Sequence, residues 1–114
     1  MKAFRILLVM MVIGILSYTG IAGYNHGWDL FPVFFGDMAA MTWSGQFNFD
    51  FTCYLALSGL WLSWRNNFTP AAIVLGLLGF VGGIMLLAPY LLLISFQANG
   101  DMKEILLGRE RAAR

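Results

Sequence analysis

The sequence predicts an all-α fold: an integral membrane three-helix bundle with an additional interfacial or re-entrant short helix. Three observations carry that prediction. Sixty per cent of the 114 residues are hydrophobic and 11% are charged, against about 25% charged in soluble domains. No charged residue falls between Arg5 and Asp29, or between Arg65 and Asp101. Tryptophan, tyrosine and arginine cluster where the apolar stretches stop, as interface anchors do. A domain of this size buries only about two-thirds of its unfolded surface, so lipid must take up much of the rest. The length allows a single membrane domain, 1–114.

The first span is expected over about residues 4–24. As a helix these 21 residues reach about 31 Å, which matches a hydrocarbon core of about 30 Å. Tyr18, Tyr24 and Trp28 serve as anchors. A cleaved secretory signal is the alternative, with Lys2 and Arg5 as its basic region and Gly20-Ile21-Ala22 as a small-x-small site.

Residues 25–48 are more polar. Within them, Phe31, Phe34, Phe35, Met38 and Met41 recur at helical spacing, and Pro32 suits a first turn. Asp37 interrupts the run. The segment 30–44 is short and charged for a crossing, and is expected to be interfacial or re-entrant. A fourth crossing there is the alternative.

The second span is expected over about 47–64, with Asp50 a turn inside its start and Trp61, Trp64 and Arg65 at its other end. Asn66-Asn67-Phe68 forms a turn. Thr69 is the expected N-cap and Pro70 the first helical residue of the third span, about 70–96. Its 26 or so residues would reach about 39 Å, so it must tilt or bend, and Pro89 offers the kink. Asp101 and Glu104 then open a brief surface helix that Gly108 stops, within a surface tail 101–114.

Three spans place the termini on opposite sides. Lys2, Arg5 and Arg65 then oppose Lys103, Arg109, Arg111 and Arg114. The basic-residue bias leans towards a cytoplasmic N-terminus. A multi-pass protein of the cell membrane, in a bacterium the inner membrane, is the expected localisation.

Asp50 is the candidate catalytic residue, because an ionisable group inside a span is costly and marks function by default. Gln46, Asn48 and Asp50 form a polar cluster at one membrane edge, and Tyr54 and Trp61 follow Asp50 on one helix face. The alternative is that Asn48 or Asp50 caps the helix. Trp28, Trp64 and Arg65 are expected membrane anchors, Arg65 by extending to the headgroups. Gly76, Gly79 and Gly83 share a helix face, and small-xxx-small spacing lets helices approach closely, within the chain or between chains. His26, Asp29 and Asp37 lack the three or four convergent ligands a metal needs, so no metal and no cofactor is expected. The lone Cys53 excludes an internal disulfide. A net charge of +1 supplies no basic stripe for nucleic acid. No Gly-x-Ser-x-Gly or phosphate-loop pattern occurs, which leans away from an enzyme.

Two stretches carry a resemblance. Phe47-Asn48-Phe49-Asp50 through Ser58-Gly59-Leu60-Trp61-Leu62-Ser63-Trp64-Arg65 is one, and Gly82-Gly83-Ile84-Met85-Leu86-Leu87-Ala88-Pro89-Tyr90-Leu91-Leu92-Leu93 is the other. Together they resemble a family of small bacterial membrane proteins catalogued as a domain of unknown function, about 110 residues long with three helices. The resemblance covers about residues 28–95 and implies correspondence at Asp50, Trp61, Arg65 and Pro89. It implies no reaction, and the tail 101–114 departs from the family. The Pro89-Tyr90-Leu91-Leu92 stretch and the aromatic content also resemble small membrane proteins that act on carotenoids and sterols.

Three functions are therefore expected in order. The first is an accessory or assembly subunit without catalysis, packing through its glycine face against itself or a larger membrane-protein partner in the lipid bilayer. The second is an enzyme or binder for a lipophilic small molecule of lipid, sterol or carotenoid type, using Asp50. The third is a small transporter or pore subunit.

Overall fold

The structure is a computed structural model and describes residues 1–113. These residues fold into seven helices without a strand: α1 (Lys2–His26), α2 (Leu30–Ala39), α3 (Trp43–Arg65), α4 (Pro70–Gly82), α5 (Ile84–Gln97), α6 (Met102–Leu107) and α7 (Arg109–Ala112). The all-α prediction holds. Among them only α1 qualifies as a membrane span by length and mean hydropathy alone. Helix α3 has the length, but Gln46, Asn48 and Asp50 dilute its first half.

Local chemistry sets most boundaries. Helix α1 stops at Gly27, whose φ of 85° is a backbone region that favours glycine. Helix α3 begins at Trp43, before the expected Phe47, because the Thr42 hydroxyl accepts the Gly45 N–H at 3.3 Å and caps it. It ends in the turn Asn66–Phe68, where the Phe68 N–H donates to Ser63 O at 2.9 Å. Asn67 and Phe68 both have positive φ, uncommon for a bulky aromatic. Thr69 then caps α4 through the Ala72 N–H at 3.1 Å, with Pro70 in the first turn.

The expected third span, 70–96, is not one helix. Gly83 interrupts it with φ 58° and ψ −136°, a combination restricted to glycine. There the chain reverses. Helix α4 climbs about 20 Å over its 13 residues. Seven residues past Gly83, the Tyr90 hydroxyl is back beside the start of α4, accepting from Asn66 Nδ2 at 2.9 Å. Helices α4 and α5 are thus a hairpin. The kink expected at Pro89 is replaced by this reversal, and Pro89 lies inside α5.

The other helices align on that hairpin. Helix α4 packs antiparallel on α3. Helix α5 packs antiparallel on α1, with Arg5 bonded to Ser95 and Val9, Val12 and Ile13 opposite Pro89, Leu92 and Phe96. Helix α2 runs back along the first half of α3, where Asn48 Nδ2 donates to Phe34 O at 3.1 Å. The buried core is small and lies towards one end, where Ile94, Ala98 and Ile105 pack with Trp61, Tyr90 and Leu91.

The reversal at Gly83 redistributes charge. A Cβ on Gly100 would sit 3.3 Å from Met1 Cγ, so the start of α1 adjoins the α5–α6 link. Arg65 reaches α6 directly. Lys2, Arg5, Arg65, Lys103, Arg109 and Arg111 therefore share one end of the molecule, with Arg114 outside the described residues. The opposite end carries His26, Asp29 and Asp37 and no Lys or Arg of the described residues. The sequence-based expectation that the two groups of basic residues lie on opposite sides is corrected: N-terminus and tail are neighbours.

Candidate functional site

Arg65 sits at the centre of the basic end. Its Nε donates to Ile105 O at 2.6 Å and its Nη2 to Glu104 O at 3.3 Å. Its Nη1 donates to Tyr90 OH at 3.1 Å and to Asn66 Oδ1 at 3.4 Å. Trp61 Nε1 adds a bond to Leu106 O at 3.1 Å, and its ring meets Tyr90 edge-on at 6.3 Å. Three consecutive carbonyls in the last turn of α6 thereby accept from two α3 side chains: Ile105 O and Leu106 O at a helix end that leaves carbonyls open, and Glu104 O in addition to the Gly108 N–H at 2.8 Å. Arg111 closes the assembly by stacking 4.0 Å over Trp64 and donating to Trp64 O. Arg65 is thus a clamp rather than the expected headgroup anchor. The tail is docked rather than a surface helix, with Ile105 0% exposed. This arrangement spends four of the guanidinium's five N–H donors on the protein itself, so it is a structural device.

The glycine face is consumed inside the chain. A Cβ on Gly76 would overlap Ser63 Oγ and lie 2.7 Å from Gly59 O, and one on Gly79 would overlap the end of Leu62. Gly83 faces Phe51 and Leu55. These glycines let α4 lie directly on α3, where Ser63 Oγ also donates to Ala72 O at 3.0 Å. The surface expected to meet a partner through Gly76, Gly79 and Gly83 is not free to do so.

The polar cluster Gln46, Asn48 and Asp50 divides between faces. Asn48 turns to α2 and bonds Phe34 O. Gln46 lines a shallow hollow with Met38, Met41, Thr42 and Phe49. Asp50 is exposed, on a stripe with Phe47, Tyr54 and Leu57, each about two-thirds exposed. No hydrogen bond or ion pair of the described residues reaches its carboxylate. Trp61, expected near Asp50, is about 16 Å away along α3 and belongs to the clamp. Trp28 folds back over Gly23 of α1 and remains exposed.

A groove of about 390 Å³ runs between α2 and the α3–α4 pair, within the range of about 300–1,000 Å³ for small-molecule sites. Its walls include Phe31, Phe34, Phe51 and Phe80. Asn48 and Thr52 are its polar groups. The Thr52 hydroxyl donates to Asn48 O at 2.8 Å, while Asn48 Oδ1 accepts no hydrogen bond from the described residues. Sequence reasoning missed this groove because its walls come from three helices.

Among the described residues, no group of three His, Cys, Asp or Glu side chains converges as a metal site would. Cys53 is a free, exposed thiol. Comparison with protein-family models, curated proteins and solved structures finds no match to this chain. The resemblance to the bacterial membrane family rests on the residues quoted for it.

Proposed function

We propose that this chain is a non-catalytic interaction subunit of the cell membrane that crosses the bilayer twice, through α1 and α3. Trp43 and Trp64 stand 21 residues apart on α3, about 32 Å, which matches a hydrocarbon core of about 30 Å framed by aromatic belts. The α4–α5 hairpin enters from the basic side and turns back at Gly83, too short to cross. Helix α2 re-enters from the other side. Broken helices are tolerated at membrane depth where protein covers them, and Gly83 is buried. Gathering the Lys and Arg residues at one end supports a cytoplasmic position for that end, in a bacterium at the inner membrane.

The single observation that carries the interaction reading is Asp50. It lies seven residues from Trp43, about 10 Å inside that edge, and is exposed with no hydrogen-bond or ion-pair partner among the described residues. Ionisable residues within spans almost always pair or face a protein interior. Crosslinking in native membranes followed by sizing tests the reading: a defined oligomer or complex is expected, and a strict monomer contradicts it.

A second reading is favoured by the groove between α2 and α3–α4. Its aromatic walls and the open Asn48 Oδ1 suit an apolar molecule bearing a hydroxyl, of sterol or isoprenoid-alcohol type. Mass spectrometry of lipids co-purified in mild detergent tests it. Enrichment of such a molecule that is lost in Asn48→Leu supports the reading, and bulk membrane composition in both proteins contradicts it.

A further inference from the structure

We propose that the Phe47–Asp50–Tyr54–Leu57 face of α3 docks a membrane helix of a different protein, one carrying a lysine or arginine at the depth of Asp50. The proposal rests on the two-span reading and names the partner that reading calls for.

The spacing of these four residues is three, four, three. That is the seam along which two helices pack side by side. Other faces of α3 are occupied, by α2 through Asn48 and by α4 through Gly59 and Ser63. Phe47, Tyr54 and Leu57 supply apolar contact at about two-thirds exposure each. The carboxylate between them is the one charge on the seam. An aspartate has a single side-chain methylene, so it cannot extend about 10 Å to the headgroups as lysine and arginine do. A cation brought by a partner answers it, and charge-assisted hydrogen bonds are strong in such surroundings.

Charge complementarity also decides against a second copy. The basic-residue bias gives every copy the same orientation. Each Lys and Arg of the described residues lies at the opposite end, with Arg65 about 22 Å from Asp50 along the helix. Two copies meeting on this seam would bring carboxylate to carboxylate. His26 is at the right end, but it closes α1, off the α3 seam. The matching cation must come from another chain.

The test places a photoreactive amino acid at Leu57 of the full chain in native membranes, with a control at the exposed Leu77 of α4. The expected result is an adduct with another protein whose crosslinked peptide is an apolar segment containing Lys or Arg. Asp50→Lys should cut that adduct at least tenfold, and exchanging the partner's basic residue for Asp should restore it, while Asp50→Glu keeps it. Size-exclusion profiles confirm that each variant is folded. An adduct with a second copy overturns the claim of a different protein and leaves the interaction reading standing. An adduct insensitive to Asp50→Lys, or a peptide without a basic residue, overturns the cation. Adducts with lipid alone in the folded protein overturn both the proposal and the interaction reading.

Discussion

Removing the Arg65 guanidinium should release the C-terminal tail without unfolding the rest. Arg65→Ala deletes the bonds to Ile105 O and Glu104 O; Ile105 O is left without a partner, while Glu104 O keeps the Gly108 N–H. Hydrogen bonds to charged groups contribute about 1.5–3 kcal/mol each. The Glu104 bond is the longer and weaker of the two, and the bonds to Tyr90 and Asn66 tie Arg65 to α5 and to the turn after α3 rather than to the tail. What remains is the Trp61–Leu106 bond, the hold of Arg111 on Trp64 and the burial of Ile105, which contributes about 1.5–3 kcal/mol. Docking should weaken by about 2–3 kcal/mol, a rise of about 30- to 150-fold in the undocked fraction. Hydrogen–deuterium exchange in detergent reads this directly. The N–H groups of Ile105 and Gly108, bonded to Asp101 O and Glu104 O, should exchange faster by that factor, with α3 and α4 unchanged. Arg65→Lys should fall between, because an ammonium lacks the fork that spans two carbonyls. Unchanged exchange across α6 in Arg65→Ala would refute the clamp.

Three further outcomes follow from the packing. Gly76→Val pushes a side chain onto Gly59 O and Ser63, so α3 and α4 must part by about 0.7 Å to restore ordinary contact. Overpacking and loss of the Ser63–Ala72 bond together should cost about 2–4 kcal/mol in detergent unfolding; no loss would mean the helices are not in direct contact. Gly36→Ala has no neighbour within 4 Å, so it should be neutral or stabilise α2 by up to about 1 kcal/mol, and a clear loss in the same assay would place an unseen contact there. Leu62→Ala empties a site with 0% exposure and should cost about 2–5 kcal/mol; a loss under about 1 kcal/mol would mean that site collapses around the gap.

The parts legible in the sequence were those written in local chemistry. The uncharged run of α1, the Thr69–Pro70 start and the Asp101 cap, which accepts the Lys103 N–H at 3.1 Å, each depend on neighbours a few residues away. The reversal at Gly83 was not legible. Gly76, Gly79 and Gly83 share a spacing that marks close packing, and Gly76 and Gly79 use it so, but Gly83 is spent on a backbone conformation. The Gly82–Gly83 pair was the available signal. The clamp was hidden for another reason: Arg65 and Ile105 lie 40 residues apart, and beside Trp64 an arginine also matches a headgroup anchor. The sequence placed Asp50 about a turn inside the expected span but did not show that Asn48, two residues away, would turn to α2.

The central claim is that the hairpin at Gly83 brings the tail back to the side of the N-terminus. Cysteines introduced singly at Ala3, His26 and Ala113, with Cys53 replaced by serine, can be labelled by a membrane-impermeant reagent from either side of sealed vesicles. Ala3→Cys and Ala113→Cys should react from the same side and His26→Cys from the other. Labelling of Ala3→Cys and Ala113→Cys from opposite sides would contradict that claim and restore a third crossing.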